Sequence, residues 1–167
     1  MSTISNVLPR ENRQPKIWGK MLALTIALAV IAFLASPNGP LGGFWRPSPD
    51  EPMPTSAQLP FFIVMNLAEV VTFGLGVSFL VFAFPLVRSI APASQTLRRL
   101  AHISIAWLLL NWWPHDSLHI HNGMNLNGLI GIEYGFHFSL MIAGAILASF
   151  FYTVLQGRME VTNDRRS

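Results

Sequence analysis

Four stretches of this chain are long and apolar, and they are almost free of charged residues. The whole sequence is 51% hydrophobic and only 11% charged, whereas soluble domains carry about 25% charged residues. A helix needs about 20 residues to cross a bilayer, and no alternating ten-residue pattern typical of a membrane β-barrel is present. The sequence therefore predicts an all-α integral membrane protein whose transmembrane domain, residues 17–155, has four spans at about 17–36, 61–87, 97–113 and 129–155.

The distribution of basic residues predicts how these spans are oriented. Lys and Arg accumulate in the cytoplasmic segments that flank membrane spans. With four spans, ten of the eleven basic residues fall on one side, and Arg46 alone falls on the other. We therefore predict a multi-pass four-helix bundle in a plasma or inner membrane, with both termini in the cytoplasm. The tails 1–16 and 156–167 are then cytoplasmic, and segments 37–60 and 114–128 are outer loops.

The first span could be either a cleaved signal peptide or a retained membrane anchor. The basic start and the small residues Ala35 and Ser36 are features of a signal peptide. Pro37 would directly follow the cut, however, and the apolar run is long, so we expect a retained anchor. The outer loop 37–60 holds seven of the twelve prolines. Such a segment cannot form a regular helix or a sheet core, and we expect an extended, partly ordered cap.

Composition also excludes several functional classes. The chain has no cysteine, which excludes disulfides, thiolate metal sites, iron–sulfur clusters and a cysteine nucleophile. The net charge of +3 is spread over the segments that flank the spans, so no basic face for nucleic acid is predicted. The expected partners are the lipid bilayer and either other membrane subunits or further copies of the chain.

Ionisable residues within the spans stand out because the surrounding sequence lacks basic residues. Lys and Arg are absent between Leu100 and Gln156. Glu133 and His137 lie four residues apart, which places them on one face of the fourth span. Glu69 lies at a similar depth in the second span, since a helix rises about 1.5 Å per residue. Two spans are therefore predicted to present a carboxylate in the outer half of the bundle.

The second outer loop contains a short helix with a histidine pair. Pro114 suits the first turn of a helix, and Gly123 suits the position just after its end. A helix from Pro114 to about His121 places His115 and His119 on one face, four residues apart. His121 then points elsewhere.

A bound metal ion would solve the energetic problem of the buried carboxylates. A charged residue at the bilayer centre costs about 2.5–3.5 kcal/mol, so Glu69 and Glu133 need partners. His and carboxylate ligands suit Zn, Fe, Mn or Cu. We therefore predict a divalent-metal site from His115, His119, Glu133, His137 and Glu69. The polar residues predicted to support it are Asn66, Asn111, Asp116, His121 and Tyr134.

Other interpretations of the same residues stay open. A neutral Glu that bonds to Asn66, Asn111, Tyr134 or a histidine would tie the helices together without a metal. Asp116 would then be a charge at a helix start, and His121 an ordinary interfacial histidine. His102 lies near the cytoplasmic half of the third span, where we expect a backbone or hydroxyl partner.

Three functions fit this pattern. The first is a small membrane metalloenzyme acting on an apolar substrate through an open metal position. The spacing of His115 and His119 resembles the histidine boxes of membrane desaturases and hydroxylases. Those families use more histidines, on the cytosolic side, so membership is not predicted. The second is an accessory subunit or metal carrier of a larger membrane complex. The third is a b-type haem protein with His102 and His137 as axial ligands.

Overall fold

The computed structural model describes residues 14–37, 39–90 and 93–164. This part of the chain is all-α and contains no sheet, as the sequence predicts. Most of the N-terminal tail lies outside the described residues, as do residues 165–167, so the predicted tail positions stay predictions. The six helices are α1 (Gln14–Ala35), α2 (Leu59–Phe82), α3 (Phe84–Ile90), α4 (Gln95–Leu110), α5 (Trp112–Asn122) and α6 (Leu126–Asp164).

Three of the helices are long and apolar enough to cross a membrane, which indicates membrane association. They comprise Ile17–Ala35, Leu59–Phe82 and Leu126–Gly157. The predicted third span corresponds to α4, which has only 16 residues and is therefore about 24 Å long. That is less than the hydrocarbon thickness of about 30 Å. The last helix continues to Asp164, well beyond the predicted end of the fourth span at 155.

The predicted second span, 61–87, is interrupted in the structure. Its helix ends at Phe82, and the short α3 begins at Phe84. Pro85 explains the break, because proline has no N–H for the helix ladder and its ring clashes with the carbonyl four residues before it. The ring of His102 on α4 donates a hydrogen bond from Nε2 to the Leu80 carbonyl at 3.0 Å, close to this break.

The helices α4 and α5 are nearly continuous. Only Asn111 separates them, and its backbone is helical, with φ −75° and ψ −21°. Its N–H bonds to the Trp107 carbonyl, and its carbonyl accepts from the His115 N–H. Pro114 lacks the N–H that the Leu110 carbonyl would need, which accounts for the local irregularity. The predicted helix in the outer loop 114–128 therefore begins earlier, at Trp112, and continues almost directly from α4.

The end of α5 is as predicted, at a glycine with a special backbone conformation. Gly123 has φ 58° and ψ −136° and follows Asn122 directly. Its N–H bonds to the His119 carbonyl at 2.9 Å. A Cβ atom at this position would also clash with the side chains of Ser48 and Asp50. Gly123 is therefore required both by the turn and by the loop that packs over it.

The long helices pack in a row. Gly74 of α2 lets the backbone of α1 approach α2 closely, and Gly76 does the same for α4. A Cβ atom at either position would clash with the neighbouring backbone. Helix α6 packs on the other side of α4, around the buried side chains of Ala101 and Phe150. No extensive contact joins α1 to α6 within the described residues. The arrangement therefore differs from the predicted four-helix bundle, whose first and last helices would also be in contact.

Candidate metal centre

Two helices bring four of the predicted ligands together. His115 and His119 lie one turn apart on α5, and Glu133 and His137 lie one turn apart on α6. The turn 123–125 reverses the chain between these helices, so the two pairs face each other. The ring centroid of His115 is 4.5 Å from that of His119 and 5.5 Å from that of His137.

The polar atoms of these side chains converge on a small volume. His115, Glu133 and His137 each offer one ligand atom, and the three atoms all lie within 4.8 Å of one another. The Glu133 carboxylate bridges two histidines, with Oε1 at 3.1 Å from His119 Nε2 and Oε2 at 2.5 Å from His137 Nδ1. His115 Nε2 lies 3.2 Å from His119 Nε2. This His/Glu/His group can hold a metal ion.

Polar atoms of neighbouring side chains face one another closely in this cluster. Asp116 Oδ1 lies 3.2 Å from His115 Nδ1, and a carboxylate there accepts the proton of Nδ1. With His115 neutral, its Nε2 carries a lone pair that faces His119 Nε2. That nitrogen has at most one hydrogen, but both His115 Nε2 and Glu133 Oε1 require it as acceptors. A cation among these atoms would satisfy all the lone pairs at once.

Glu69 does not join the cluster, although the sequence predicts it as a ligand. Its half-buried side chain lies beside the Asp116 carboxyl group, and Asp116 in turn contacts His115. Glu69 is therefore separated from the candidate ligand His115 by Asp116.

An aromatic wall that the sequence analysis missed closes the inner side of the cluster. The rings of Trp107 and Phe136 are stacked, with centroids 5.8 Å apart, and Phe136 packs edge-on to His115 at 5.1 Å. Trp107 Nε1 donates to Ser139 Oγ at 3.0 Å, which fixes the indole against α6. The only available signal was the spacing of Trp107, two turns before His115 and therefore on the same helix face.

The outer side of the cluster is accessible. The side chain of His115 is 13% exposed, whereas those of Glu133 and His137 are 44% and 53% exposed. Burial thus falls from α5 towards α6. A metal bound here would have protein on one side and an open coordination position on the other, as in catalytic rather than closed structural sites.

Most of the predicted supporting residues have other partners. Asn66 accepts from Ser36 Oγ at 3.2 Å, and Asn111 donates to the Trp107 carbonyl at 2.6 Å. His121 bonds through Nδ1 to the Arg46 carbonyl, which agrees with the prediction that it points elsewhere. Tyr134 is 75% exposed. Among the described residues, neither of the two amides bonds to Glu69 or Glu133. Glu133 instead contacts His119 and His137, which are partners that the metal-free interpretation also allows.

The two histidines predicted as haem ligands lie apart. His102 is buried between the rings of Phe79 and Phe84, and its Nε2 bonds to a backbone carbonyl, as the sequence analysis expects. His137 instead packs on His115. His115 lies thirteen residues after His102 along α4 and α5, which corresponds to about 20 Å along the helices. The geometry therefore brings no axial pair together from His102 and His137.

The proline-rich loop holds the turn between α5 and α6 in place. The Ser48 N–H donates to the Ile120 carbonyl at 3.0 Å, and the Met124 N–H donates to Asp50 Oδ2 at 3.3 Å. The hydroxyl of Ser48 also donates to Asp50. This hydroxyl bond, helped by the Met124 N–H, lowers the pKa of Asp50 below its ordinary value of 3.8. The loop thereby ties down the helix ends that carry the four metal-binding candidates.

Comparison of the chain with protein-family models, curated proteins and solved structures gives no match.

Proposed function

We propose that this chain is an integral membrane metalloprotein that holds a divalent transition metal between α5 and α6. The ligands are His115, Glu133 and His137, with His119 as a fourth. The convergence of the His/Glu/His atoms within 4.8 Å carries this proposal. The close approach of His119 Nε2 to both His115 Nε2 and Glu133 Oε1 also supports it.

The spacing of the ligand atoms suits a small ion. Zinc binds nitrogen and oxygen at about 2.0–2.2 Å in tetrahedral sites, which places ligand atoms about 3.3–3.5 Å apart. The two nitrogens of His115 and His119 are 3.2 Å apart, and His119 Nε2 lies 3.1 Å from Glu133 Oε1. Both spacings are within a few tenths of an ångström of the tetrahedral value, and the His115, Glu133 and His137 atoms, which lie within 4.8 Å of one another, would also adjust around the ion. Iron, manganese and copper accept the same nitrogen and oxygen ligands.

The position of the site in the membrane follows from a four-span topology, which is part of this proposal. With Asn111 included, α4 and α5 run from Gln95 to Asn122, a length of about 42 Å. The bond between Trp107 and Ser139 and the contact between His119 and Glu133 keep this pair antiparallel to α6. The third traverse of a plasma or inner membrane is then α4 together with the first part of α5. The metal site lies at the outer end.

The accessible side of the cluster favours an enzyme with an open metal position. The exposure of Glu133 and His137 leaves room for water or a substrate atom, and a bound metal would act there as a Lewis acid or lower the pKa of bound water. The same exposure also favours the second candidate, a metal carrier or accessory subunit, since an accessible ligand permits exchange. An enzyme retains its metal during incubation with a competing chelator, whereas a carrier gives it up readily.

Elemental analysis of protein purified in detergent tests metal binding, provided that no chelator and no histidine tag are used. We expect about one equivalent of zinc, iron, manganese or copper per chain, and loss of this metal in Glu133→Gln and His137→Ala. The matched controls are Tyr134→Phe, an exposed neighbour on α6, and His102→Ala, a histidine outside the cluster. Both controls should keep the metal. A metal-free wild-type protein, or His137→Ala with full occupancy, would overturn the proposal.

A further inference from the structure

A groove runs between α5 and α6 beside the metal centre. It has a volume of about 340 Å³, at the small end of the range of about 300–1,000 Å³ for ligand pockets. Leu118, Ile132 and Phe136 form its apolar walls. Its floor includes Gly131 and Gly135, where an added Cβ would meet no atom within 4 Å. The glycines therefore create free space.

The surroundings of the groove are those of a helix face in contact with lipid. Ile130, Tyr134 and Phe138 lie on α6 at spacings of four and are 56%, 75% and 63% exposed. Large apolar side chains with this exposure on a membrane helix face acyl chains, because the bilayer core contains no water. An apolar groove beside such a stripe offers a surface for a flexible hydrocarbon chain.

One end of the groove is polar, and a basic residue lies next to it. His121 and Asn122 line this end, near the turn to α6. The Nδ1 of His121 donates to the carbonyl of Arg46 at 3.0 Å, so the backbone of Arg46 adjoins the polar end. Arg46 is exposed, and it is the only basic residue among residues 39–87. Arginine is the residue best suited to phosphate, because its planar guanidinium donates two parallel hydrogen bonds.

We propose that this groove binds one acyl chain of a membrane phospholipid, with the lipid phosphate at Arg46. Phe136 separates the chain from His115, since it lines the groove and packs on that ring. The lipid would therefore lie directly beside the metal centre. Binding of the acyl chain uses none of the metal ligands and does not depend on a bound metal.

Photo-crosslinking in nanodiscs tests the site. The probe is a phosphatidylcholine with a diazirine in one acyl chain, and the labelled residues are mapped by mass spectrometry. In the wild-type protein we expect labelling concentrated at Leu118, Ile132 and Phe136. Gly131→Leu and Gly135→Leu fill the groove and should abolish this labelling. The matched control is Gly144→Leu, which also adds a side chain to open space on α6 and should leave the labelling intact.

The outcomes separate the two parts of the proposal from each other and from metal binding. Groove labelling that survives in Gly131→Leu and Gly135→Leu, or that is no stronger than along the rest of α6, overturns the acyl-chain site. A diacylglycerol probe with the same diazirine has no phosphate and should label less than the phospholipid. Arg46→Gln should remove that difference. Equal labelling of the wild-type protein by both probes overturns the assignment of the phosphate. Metal content, measured on the same samples, should stay unchanged in the groove-filling variants.

Discussion

The carboxylate of Asp116 has the position of an outer support for a metal-binding histidine. Metal-ligating histidines usually donate their second ring N–H to a carboxylate or carbonyl, which fixes the ring and makes the ligating nitrogen more basic. Asp116 Oδ1 lies 3.2 Å from His115 Nδ1, which would leave Nε2 to bind a metal. Glu69 lies beside Asp116 and outside the His115/Glu133/His137 group that could hold the ion. If the metal is bound, Glu69 would therefore act through Asp116 rather than as a ligand.

We predict that Asp116→Asn weakens metal binding by about 10–100-fold, the usual cost of removing such a support. The amide is nearly isosteric, so loss of packing is not the cause. Competition with a fluorescent chelator measures the affinity. The control is Asn66→Asp, which changes the charge of a side chain one turn away from Glu69 but outside the cluster. An unchanged affinity in Asp116→Asn would contradict the supporting role.

Residue types and helix spacing were sufficient to predict most of the cluster. The pairs His115/His119 and Glu133/His137 lie on common helix faces because the spacing of four is a property of any α-helix. Contacts between helices were harder to predict. Depth alone placed Glu69 level with Glu133, yet the rotation of α2 turns its side chain to Asp116. The wall formed by Trp107 and Phe136 could not be predicted, because nearly all side chains in a membrane span are apolar. Their residue types therefore do not indicate which helix they pack against.

At the scale of elements, two prolines explain where the structure departs from the predicted spans. Pro85 breaks the second span into α2 and α3, and Pro114 marks the irregularity between α4 and α5. Hydropathy averages over such breaks, so it predicted one continuous second span and a separate loop after the third. The described part of the loop 37–60, residues 37 and 39–60, contains no helix or strand before Leu59, as its prolines predict. The loop is attached to the α5–α6 turn by single hydrogen bonds. Such bonds between distant segments cannot be predicted from a sequence pattern.

Attachment of this loop should depend on pH. The folded environment lowers the pKa of Asp50 below 3.8, mainly through the hydroxyl of Ser48. A carboxyl group with a lowered pKa stabilises the folded arrangement above its unfolded pKa, and this contribution is lost as pH falls through the folded pKa. We therefore predict that the contacts of Asp50 with the α5–α6 turn are complete at neutral pH and weaken as the pH falls below 3.8 towards the lowered pKa of the folded state.

The accessibility of the loop can be measured by hydrogen exchange at the N–H groups of Ser48 and Met124. Their protection should be constant above pH 5, after correction for the intrinsic exchange rate, and should fall only in strong acid, because surface carboxyl groups titrate near pH 4. Asp50→Asn removes the titration and should give the same weak protection of Met124 at all pH values. Strong acid-sensitive protection in Asp50→Asn would show that another group holds the loop.

The whole molecule is a row of helices, and large apolar side chains are exposed along α1, α2 and α6. Helices α1 and α6 each contact one long neighbour, α2 or α4. Side chains such as Leu22 on α1 and Met141 on α6 are 62% and 71% exposed. This exposure would be costly in water but not in lipid, because lipid tails are as apolar as the side chains themselves. An open row is therefore a stable arrangement only in a bilayer or against a partner subunit.

The number of traverses decides where the termini lie, and the absence of cysteine makes this directly measurable. Three helices meet the length and hydropathy of a span. If these alone crossed the membrane, the two termini would lie on opposite sides. If α4 and α5 provide a fourth traverse, as we propose, both lie on one side. Because the chain has no cysteine, a single introduced cysteine reports its own side without background.

We predict that a membrane-impermeant maleimide labels Ser56→Cys in intact cells. Thr3→Cys and Ser167→Cys should react only after permeabilisation. Ser56 lies in the loop 37–60 and is exposed, so it serves as the positive control for the outer side. Labelling of exactly one terminal variant in intact cells would mean an odd number of traverses. In that case α4 and α5 would not cross the bilayer. The histidine cluster would then lie on the same side as one terminus, and its proposed position at the outer surface would be wrong.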